Sequence, residues 1–414
     1  MRRVAAILIG LALTTGGSTC ALVQMQDRDT PNVPSRFAIA DSDPRVLIES
    51  SLLDRLRSSP FAYFRFFNRQ WSQAVCDAFG DDPDAHPLAN LHGDAHLEQY
   101  AVTETEHGLD DFDDSASGPA VIDLVRFSSS VYLVCTEFRW EDASQQVIDQ
   151  FFNGYREGLR NSDLVVPPPS IADRLRPLGN RTQAEFLAWA ESLMHPIDSE
   201  QVDEIEAGFQ RFSELTYEER PELPRHFLDI KRIGRLWMGI GSALTEKILA
   251  RVEGQTLDPL DDVILEGKQL ADLSNVSCIQ LPKAEIERVL IGTRTIGRLN
   301  HLILGYVPNR EDGPETPPPW WVKSWDASYY ELDCNKLRSP AELAEVVYDV
   351  GVQLGQGHFR GLDGSTSESA RLWQLEAMPE LTPRIRRLSK QLVGELIDAW
   401  ETFKSRDFSP VEAD

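Results

Sequence analysis

The chain is poor in cysteine and in basic residues, and each scarcity excludes a class of function. Its 414 residues include 5 cysteines. None of them forms a Cys-x-x-Cys pair, so the sequence does not predict a zinc site, and spacing alone does not decide whether any of them form a disulfide. Lys and Arg total 41 against 66 Asp and Glu, for a net charge of -25. Such a surface repels phosphate backbones and anionic lipids, so we expect no binding of nucleic acid.

Long apolar runs and internal repeats are also missing. No apolar run in the sequence approaches the ~20 residues that a membrane-spanning helix needs. The composition is otherwise that of a globular protein, with 42% hydrophobic residues, 9 Trp and 18 Phe. This is enough to bury a sizeable core, and the length predicts about two to three domain-sized parts.

The first residues have the features of an export signal. Arg2 and Arg3 precede an apolar stretch over residues 4–13, and small residues follow up to Ala21. The stretch is too short to span a bilayer, so we expect cleavage after Ala21 and export to the periplasm or cell envelope. Cys20 raises the alternative of a lipid anchor, which would be the only contact with a membrane. If the start codon is mis-assigned, or the stretch is a buried helix, the protein is cytoplasmic.

Composition and the spacing of apolar residues divide the chain into five parts. They are an export signal (1–21), a polar tether (22–44), a first large part (45–230), a small part (231–330) and C-terminal helices that return to the large part (331–414). The small part begins where glycines and alternating apolar and polar runs replace helical spacing.

Apolar residues at helical spacing predict a mainly helical large part. The predicted helical ranges are 46–79 with two helices, 118–137 and 182–218. In the C-terminal part, Ser339 supplies an N-cap and Pro340 a first-turn residue, with Glu342 as the capping acid. Thr382 and Pro383 are predicted to open a second C-terminal helix.

Short runs in the small part predict strands joined by turns. The predicted strands are 247–252, 263–268 and 320–325. A helix is the alternative for the first two runs.

The densest cluster of histidines and carboxylates lies between residues 90 and 114. One run reads His-Gly-Asp-Ala-His-Leu-Glu-Gln over residues 92–99, and a second reads Leu-Asp-Asp-Phe-Asp-Asp over 109–114. Phosphoryl transfer needs one carboxylate that orients the acceptor hydroxyl and another that holds magnesium against the nucleotide phosphates. The two runs are candidates for these tasks. A solvated acidic loop is the alternative, because a chain this acidic contains such loops often.

The first run resembles the catalytic loop of aminoglycoside phosphotransferase-like kinases, in which an Asp is followed five places later by an Asn. Asp94 matches the Asp, and Gln99 stands at the Asn position. The Asp-Phe-Asp segment 111–113 resembles the metal-binding Asp-(Phe/Trp) motif of these kinases. The Gly-Pro pair 118–119 and the Asp-Leu pair 123–124 match the residues that follow that motif.

A closer resemblance is to the uncharacterised bacterial family named domain of unknown function 2252. That family shows similar Gly-Asp-Ala-His-Leu-Glu-Asn and Asp-Phe-Asp runs. It also shows a similar Ser-Pro-Phe-Ala-x-Phe-Arg entry, which here is residues 59–65. The resemblance extends from about residue 45 to residue 403.

The resemblance implies an α+β, protein kinase-like fold with two lobes that is circularly permuted. In an ordinary kinase the glycine-rich hairpin and the lysine strand precede the catalytic loop. Here the glycine-containing segment 239–242 and Lys268 follow that loop, and the helix that ends near His358 resembles the kinase helix that runs into it. A small, sheet-containing lobe would therefore be inserted into a largely helical large lobe. Permutation is tolerated where the joined termini lie close together.

The resemblance also implies roles for individual residues. Asp94 would be the general base or the hydroxyl-orienting group, and His92 is a second catalytic candidate beside it. Asp111 would bind magnesium, with help from Gln99 and Asp113.

The nucleotide would be bound by the small lobe. Lys268 would pair with the phosphates as a point charge. The backbone N–H groups expected to cover the phosphates belong to Gly239, Gly241 and Ser242. No acidic partner of Lys268 has a clear match, and Glu285 and Glu287 are the candidates.

Other histidines and tryptophans have weaker claims on the site. His92, Asp94 and His96 alternate along the chain and could together bind a transition metal. His358 is expected to form a hydrogen bond near the catalytic loop. The residues expected to pack in a strand, or alternatively to stack on a ligand, are Trp320, Trp321 and Trp325.

Three functional hypotheses follow. The first is a phosphotransferase that uses ATP and magnesium on an unknown hydroxylated acceptor, with nucleotidyl transfer as a variant. The second is a kinase-like protein without catalysis that binds a ligand or partner outside the cytoplasm, because an exported protein meets little ATP. The third is a metal-dependent hydrolase at the His-Gly-Asp-Ala-His motif.

Overall fold

The elements of the computed structural model confirm an α+β fold. The structure describes residues 35–40, 43, 50–80, 86–237, 240, 245–307 and 320–406. The predicted export signal and most of the predicted tether lie outside these ranges. None of the described helices is long and apolar enough to cross a membrane.

The helices and strands follow one another along the chain in a mixed order. The helices are α1 (Ser50–Ser58), α2 (Pro60–Phe66), α3 (Asn68–Phe79), α4 (Val121–Glu137), α5 (Glu141–Arg160), α6 (Ala172–Gly179), α7 (Gln183–Ser192), α8 (Ser199–Glu219), α9 (Ile286–Thr295), α10 (Pro340–Gly357) and α11 (Gly364–Lys404). The strands are β1 (Leu88–Leu91), β2 (Tyr100–Val102), β3 (His107–Leu109), β4 (Ala116–Pro119), β5 (Met194–His195), β6 (Ile230–Leu236), β7 (Lys247–Val252), β8 (Val263–Gln269), β9 (Leu304–Val307), β10 (Trp320–Ser324) and β11 (Tyr330–Glu331).

The helical part is built around α4, whose apolar sequence is buried almost throughout its length. The neighbours of α4 include α2, α3, α5 and α11, and α5 packs along α10. The buried helix predicted over residues 118–137 is thus confirmed, although it begins at Val121 because residues 118 and 119 belong to β4.

The N-terminal segment forms three helices rather than the two predicted between residues 46 and 79. Ser59 ends α1 and caps α2, because its hydroxyl accepts a hydrogen bond of 3.0 Å from the backbone N–H of Ala62. Pro60 then occupies the first helical position, where its missing N–H is not needed. Phe67 separates α2 from α3.

A six-stranded antiparallel sheet has the strand order β5-β6-β7-β8-β10-β9. The three strands predicted from sequence are confirmed as β7, β8 and β10. Because side chains alternate between the faces of a sheet, the two faces differ. One packs on α8 through apolar side chains. The other packs on α7 at one end and carries buried lysines at the other.

The predicted helical range 182–218 is interrupted. Strand β5 lies between α7 and α8 and pairs with β6 at the edge of the sheet. The sheet therefore contains residues that precede residue 231, the predicted start of the small part.

The second C-terminal helix does not begin at Thr382, as predicted. Helix α11 runs unbroken from Gly364 to Lys404 and contains both Pro379 and Pro383. Both prolines are exposed, so water can solvate the carbonyl groups that lose their helical partner. Buried side chains on the opposite face, such as Ile385, hold the helix against the core.

A disulfide connects the helical part to the segment after β8. Cys76 of α3 and Cys278 have Cα atoms 5.4 Å apart and are separated by 202 residues. Cys135 and Cys334 are buried free thiols.

Two small sheets position the loops that carry the predicted site. β1 pairs with β4, and β2 lies between β3 and β11. The β1–β2 loop contains the first run of candidate residues, and the β3–β4 loop contains the second. Because Leu91 at the end of β1 pairs with Ala116 at the start of β4, the two loops leave one small sheet side by side.

Candidate functional site

The β1–β2 loop is held by the first turn of α4. The carboxylate of Asp123 accepts hydrogen bonds from the backbone N–H groups of His92 (2.7 Å) and Gly93 (2.9 Å). Gly93 has a φ of +84°, and a Cβ there would lie 1.8 Å from the carbonyl oxygen of Asp114. Only glycine satisfies both conditions, so this residue lets the two candidate loops approach each other.

His358 supports the same loop from the end of α10. Its ring is fully buried, with Nε2 3.2 Å from the carboxylate of Asp123 and Nδ1 2.9 Å from the hydroxyl of Tyr155. The hydrogen bond expected near the candidate catalytic loop is therefore present. It is made to the carboxylate that holds the loop, and His358 does not line the cavity described below.

Asp94 is fixed by a buried arginine. Its Oδ1 atom accepts from Nε of Arg126 at 2.9 Å and lies 2.8 Å from Nη2. The guanidinium also stacks on Phe64, 3.5 Å from the ring centroid. Burial raises the pKa of Asp94 to about 7, although the charge of Arg126 opposes that rise. This carboxyl group therefore titrates near neutral pH.

The two histidines beside Asp94 do not converge on one point. His92 donates from Nε2 to the carbonyl of Asp110 (2.9 Å), and its Nδ1 accepts from the backbone N–H of Asp94 (3.3 Å). The ring of His96 lies against Phe61 and has Nε2 3.7 Å from Oδ2 of Asp94. Neither ring nitrogen of His96 has a hydrogen-bond partner among the described residues. In the described part of the chain, no three His, Cys, Asp or Glu side chains are grouped to hold a metal ion.

The β3–β4 loop presents its carboxylates to the lysine-bearing face of the large sheet. Oδ2 of Asp110 lies 2.7 Å from Nζ of Lys323 in β10. Asp111 has a φ of +65°, in the left-handed region that Asp and Asn adopt more readily than other non-glycine residues.

Lys268 of β8 joins this loop through two carboxylates. Its ammonium group pairs with Asp111 and lies 3.2 Å from Oδ2 of Asp113 and 3.6 Å from Oε1 of Glu266. Glu285 and Glu287, the acidic partners considered from sequence, make no ion pair with it among the described residues. Its acidic neighbours instead come from the Asp-Phe-Asp segment and from its own strand.

The charges in this cluster shift the pKa values of Asp111 and Asp113 in opposite directions. Burial alone would raise the pKa of Asp111, but the ammonium of Lys268 holds that pKa well below its usual range. Burial and the neighbouring Asp111 raise the pKa of Asp113 well above its usual range. Burial would lower the pKa of Lys268, yet the carboxylates raise it well above the usual value. The lysine charge thus favours the ionised form of Asp111 over that of Asp113.

Strand register explains why the lysines share one face. Lys247 of β7 lies directly across from Lys268 of β8, and Lys323 of β10 lies across from Glu266. Residues two apart on a strand point to the same side. Glu266 and Lys268 therefore face the carboxylate loop together with the lysines of both neighbouring strands.

A cavity of about 510 Å³ lies where the loops meet the sheet. The side chains predicted for the site that line it are Asp94, Gln99, Asp111, Asp113 and Lys268. Its wall also contains the aromatic side chains of Phe186, Trp189 and Trp325. The rings of Trp189 and Trp325 have centroids 5.6 Å apart, and the indole N–H of Trp325 donates to Glu266 at 2.8 Å. One cavity thus combines charged and aromatic side chains.

Some predicted site residues are not in this cavity. His92 is buried behind it and does not line it. Trp320 packs on the α8 side of the sheet, and Trp321 is buried against Lys268 and Lys323. The structure gives no placement for the phosphate-covering candidates, because the residues outside its described ranges include Gly239, Gly241 and Ser242.

Sequence reasoning missed several charged residues of the site, among them Arg126 and Lys323. A signal for each of these two was present. Arg126 is a lone arginine in the apolar helix α4, and a buried charge requires a partner. Lys323 alternates with Trp321 on a predicted strand, which places both side chains on one face.

Comparison with known proteins supports one assignment. No curated protein and no solved structure matches the chain. A family model described as "Uncharacterized protein conserved in bacteria (DUF2252)" matches residues 50–164 and 172–406. The match covers most of the chain and includes both candidate loops and the large sheet. The chain therefore belongs to this DUF2252 family of bacterial proteins.

Proposed function

We propose that the protein is a phosphotransferase that uses a nucleotide and magnesium to phosphorylate a hydroxylated acceptor. One observation carries the proposal: Lys268 meets Asp111 and Asp113 in a cavity that Asp94 also lines. Positioning and charge stabilisation account for most of the catalysis of phosphoryl transfer. This cavity can supply positioning and charge stabilisation through a buried ammonium group, a pair of carboxylates and a separate carboxylate.

The carboxylate pair fits a magnesium ion bound together with phosphate. Magnesium usually takes one or two protein carboxylates and completes its shell with water and substrate phosphates. Asp111 and Asp113 both lie against the ammonium of Lys268, and Gln99 lines the same cavity. Asp111 and Asp113 would hold the ion, which when bound would neutralise phosphate charge.

Asp94 is arranged to take the proton of an acceptor hydroxyl. Arg126 occupies Oδ1 with two N–H groups, which fixes the carboxylate and leaves Oδ2 for another partner. A general base is most effective when its pKa lies near the working pH. The pKa of about 7 that burial gives Asp94 meets that condition.

The cavity offers groups for the phosphates and for the base of a nucleotide. The indole N–H of Trp325 donates to Oε2 of Glu266 at 2.8 Å, and Oε1 of Glu266 lies 3.6 Å from the ammonium of Lys268. The Trp325 ring therefore lies close to the lysine, with the Trp189 ring next to it. In this arrangement Lys268 binds the phosphates, and Trp189 and Trp325 stack on the base.

The order of these parts supports the kinase-like, circularly permuted fold implied by the resemblance. The candidate catalytic loops precede the lysine-bearing sheet in the chain, and α10 returns afterwards to place His358 behind the first loop. The small lobe of this proposal is the six-stranded sheet with α7 and α8.

We also propose that the protein works outside the cytoplasm, as the N-terminal signal predicts. The disulfide between Cys76 and Cys278 supports this location, because such bonds persist mainly in oxidising compartments. Nucleotide would then have to be supplied in the same compartment.

Thermal unfolding with and without Mg-ATP tests the proposal. A ligand that binds the folded state stabilises it by mass action, so we expect Mg-ATP to raise the Tm of the wild type. Asp111→Asn and Lys268→Met should abolish that rise while the unliganded protein stays folded. Lys404→Met, at the exposed end of α11, is the matched control and should keep it. No rise at millimolar Mg-ATP in the wild type would refute the proposal.

A ligand-binding protein without catalysis is the second candidate. The observation that favours it is Gln99 at the position where the related kinases have Asn, since its amide is one methylene further from the backbone. The second candidate binds a ligand or partner that need not be a nucleotide, so the absence of a Tm rise with Mg-ATP would favour it. Transfer of radiolabelled γ-phosphate to an acceptor extract separates them, because only the phosphotransferase forms a labelled product that disappears in Asp94→Asn.

A further inference from the structure

We propose that Glu266 is the residue that positions Lys268 for the phosphates of a bound nucleotide, and that the indole N–H of Trp325 holds Glu266 in place. The inference rests on the proposed function, because it concerns the lysine that binds the phosphates there. Glu266 would act through Lys268, so it is a positioning residue and not a catalytic one.

The proposed function gives Asp111 and Asp113 two competing partners. In the structure both carboxylates lie against the ammonium group of Lys268. In the nucleotide complex the same carboxylates would hold magnesium, which attracts them more strongly than a single positive charge and repels the ammonium group. Lys268 therefore needs an acidic partner outside the magnesium site to stay directed at the phosphates.

Glu266 is the third acidic partner of Lys268 among the described residues. It lies two residues before Lys268 on β8, so both side chains point to the same face of the sheet. Its Oε1 atom is 3.6 Å from Nζ of Lys268, and both side chains are buried and line the cavity. Lys323, which lies across from Glu266 on β10, is paired with Asp110 instead, at 2.7 Å.

The indole of Trp325 fixes the direction of Glu266. Its Nε1 atom donates to Oε2 of Glu266 at 2.8 Å, and a hydrogen bond to a charged group is stronger than one between neutral groups. With Oε2 held in this way, Oε1 keeps facing Lys268. The Trp325 ring also lies beside Trp189, where the proposed function places the base. Base binding and the positioning of the lysine therefore meet at one indole.

The affinity for Mg-AMP-PNP tests the role of Glu266. Glu266→Gln keeps the shape of the side chain and an oxygen that can accept from Trp325, but it removes the charge beside Lys268. Titration calorimetry of the full chain should show binding about tenfold weaker or more than in the wild type. Glu191→Gln is the matched control, because Glu191 pairs with arginines of β6 and β7 and does not line the cavity. It should bind Mg-AMP-PNP like the wild type.

A second measurement needs no nucleotide and distinguishes positioning from a general structural role. The double variant Asp111→Asn, Asp113→Asn lacks two of the three acidic partners of Lys268. In this background, Glu266→Gln should lower the pKa of Lys268, by about tenfold or more in proton affinity. Trp325→Phe should lower it less, because the carboxylate stays but loses its fixed direction. An NMR titration of the protein with isotope-labelled lysine side chains measures the pKa, and the control variant should leave it unchanged.

The outcomes separate this inference from the proposed function. If Glu266→Gln binds Mg-AMP-PNP like the wild type, or if it leaves the pKa of Lys268 unchanged, the positioning role is refuted and the phosphotransferase stands. If the wild type does not bind Mg-AMP-PNP, the proposed function fails, and the titration alone decides whether Glu266 holds the lysine. A lower pKa then supports that role, and an unchanged pKa refutes it.

Discussion

At the scale of single residues, the site depends on buried charges that each have a fixed partner. Asp94 is paired with Arg126, and Asp110 with Lys323. Such pairs are costly to bury and costly to break, because removing one partner leaves the other uncompensated. Their presence around one cavity indicates that these groups are held in place at a cost in folding stability.

The raised pKa of Asp94 predicts a pH dependence of stability. Between the ordinary value of 3.8 and the folded-state value of about 7, the folded protein binds more protons at this site than the unfolded chain does. The contribution of Asp94 to the free energy of unfolding therefore falls as pH rises through this window and is constant above it. Asp94→Asn lacks this titration. Urea unfolding of both proteins from pH 4.5 to 8 should show that the free energy of unfolding of the wild type, relative to that of Asp94→Asn, falls as the pH rises. A relative free energy that does not depend on pH would contradict the burial assigned to Asp94.

Gly93 should tolerate no side chain. In Gly93→Ala the new Cβ would meet the backbone of Asp114 in a left-handed conformation, so we expect a loss of about 2 kcal/mol or more in the free energy of unfolding. Gly394→Ala in α11 is the control, because no atom lies within 4 Å of its Cβ position and alanine favours a helix by up to about 1 kcal/mol. Chemical denaturation measures both, and equal stability of the two variants would show that the loops do not approach as described.

At the scale of elements, the sequence pattern predicted those helices and strands that depend mainly on residues close together in the chain. Alternation correctly located β7, β8 and β10, and the apolar run located α4. The start of the last helix was predicted at Thr382 instead of Gly364, because Thr followed by Pro is a strong local signal for a helix start that tertiary packing overrides. The separation of α7 from α8 was missed because β5 is two residues long and forms only by pairing with β6.

The prolines of α11 should lower stability without breaking the helix. Each removes a backbone hydrogen bond on the exposed face, so Pro379→Ala and Pro383→Ala should each raise the free energy of unfolding by about 1 kcal/mol or more. Thermal unfolding followed by circular dichroism measures the change. A decrease in helix content in either variant would indicate that the proline ends a helix after all.

At the scale of the whole molecule, the site joins segments that are far apart in the chain. Sequence motifs identified Asp94, Asp111 and Lys268, but not the pairing of Asp94 with Arg126 or the disulfide between Cys76 and Cys278. Those contacts depend on how α4 packs behind the first loop and how the segment after β8 folds onto α3. The fold of a chain does not by itself establish its chemistry, and the proposed function rests on the cavity that this packing creates.

The central claim is that one cavity receives the phosphates of a nucleotide between Lys268 and the Asp111–Asp113 pair. A crystal structure of the protein with Mg-AMP-PNP tests it most directly. The account predicts phosphate oxygens within hydrogen-bonding distance of Lys268 Nζ, magnesium on Asp111 and Asp113, and the base against Trp189 and Trp325. A nucleotide bound elsewhere, or phosphates that do not contact Lys268, would contradict it.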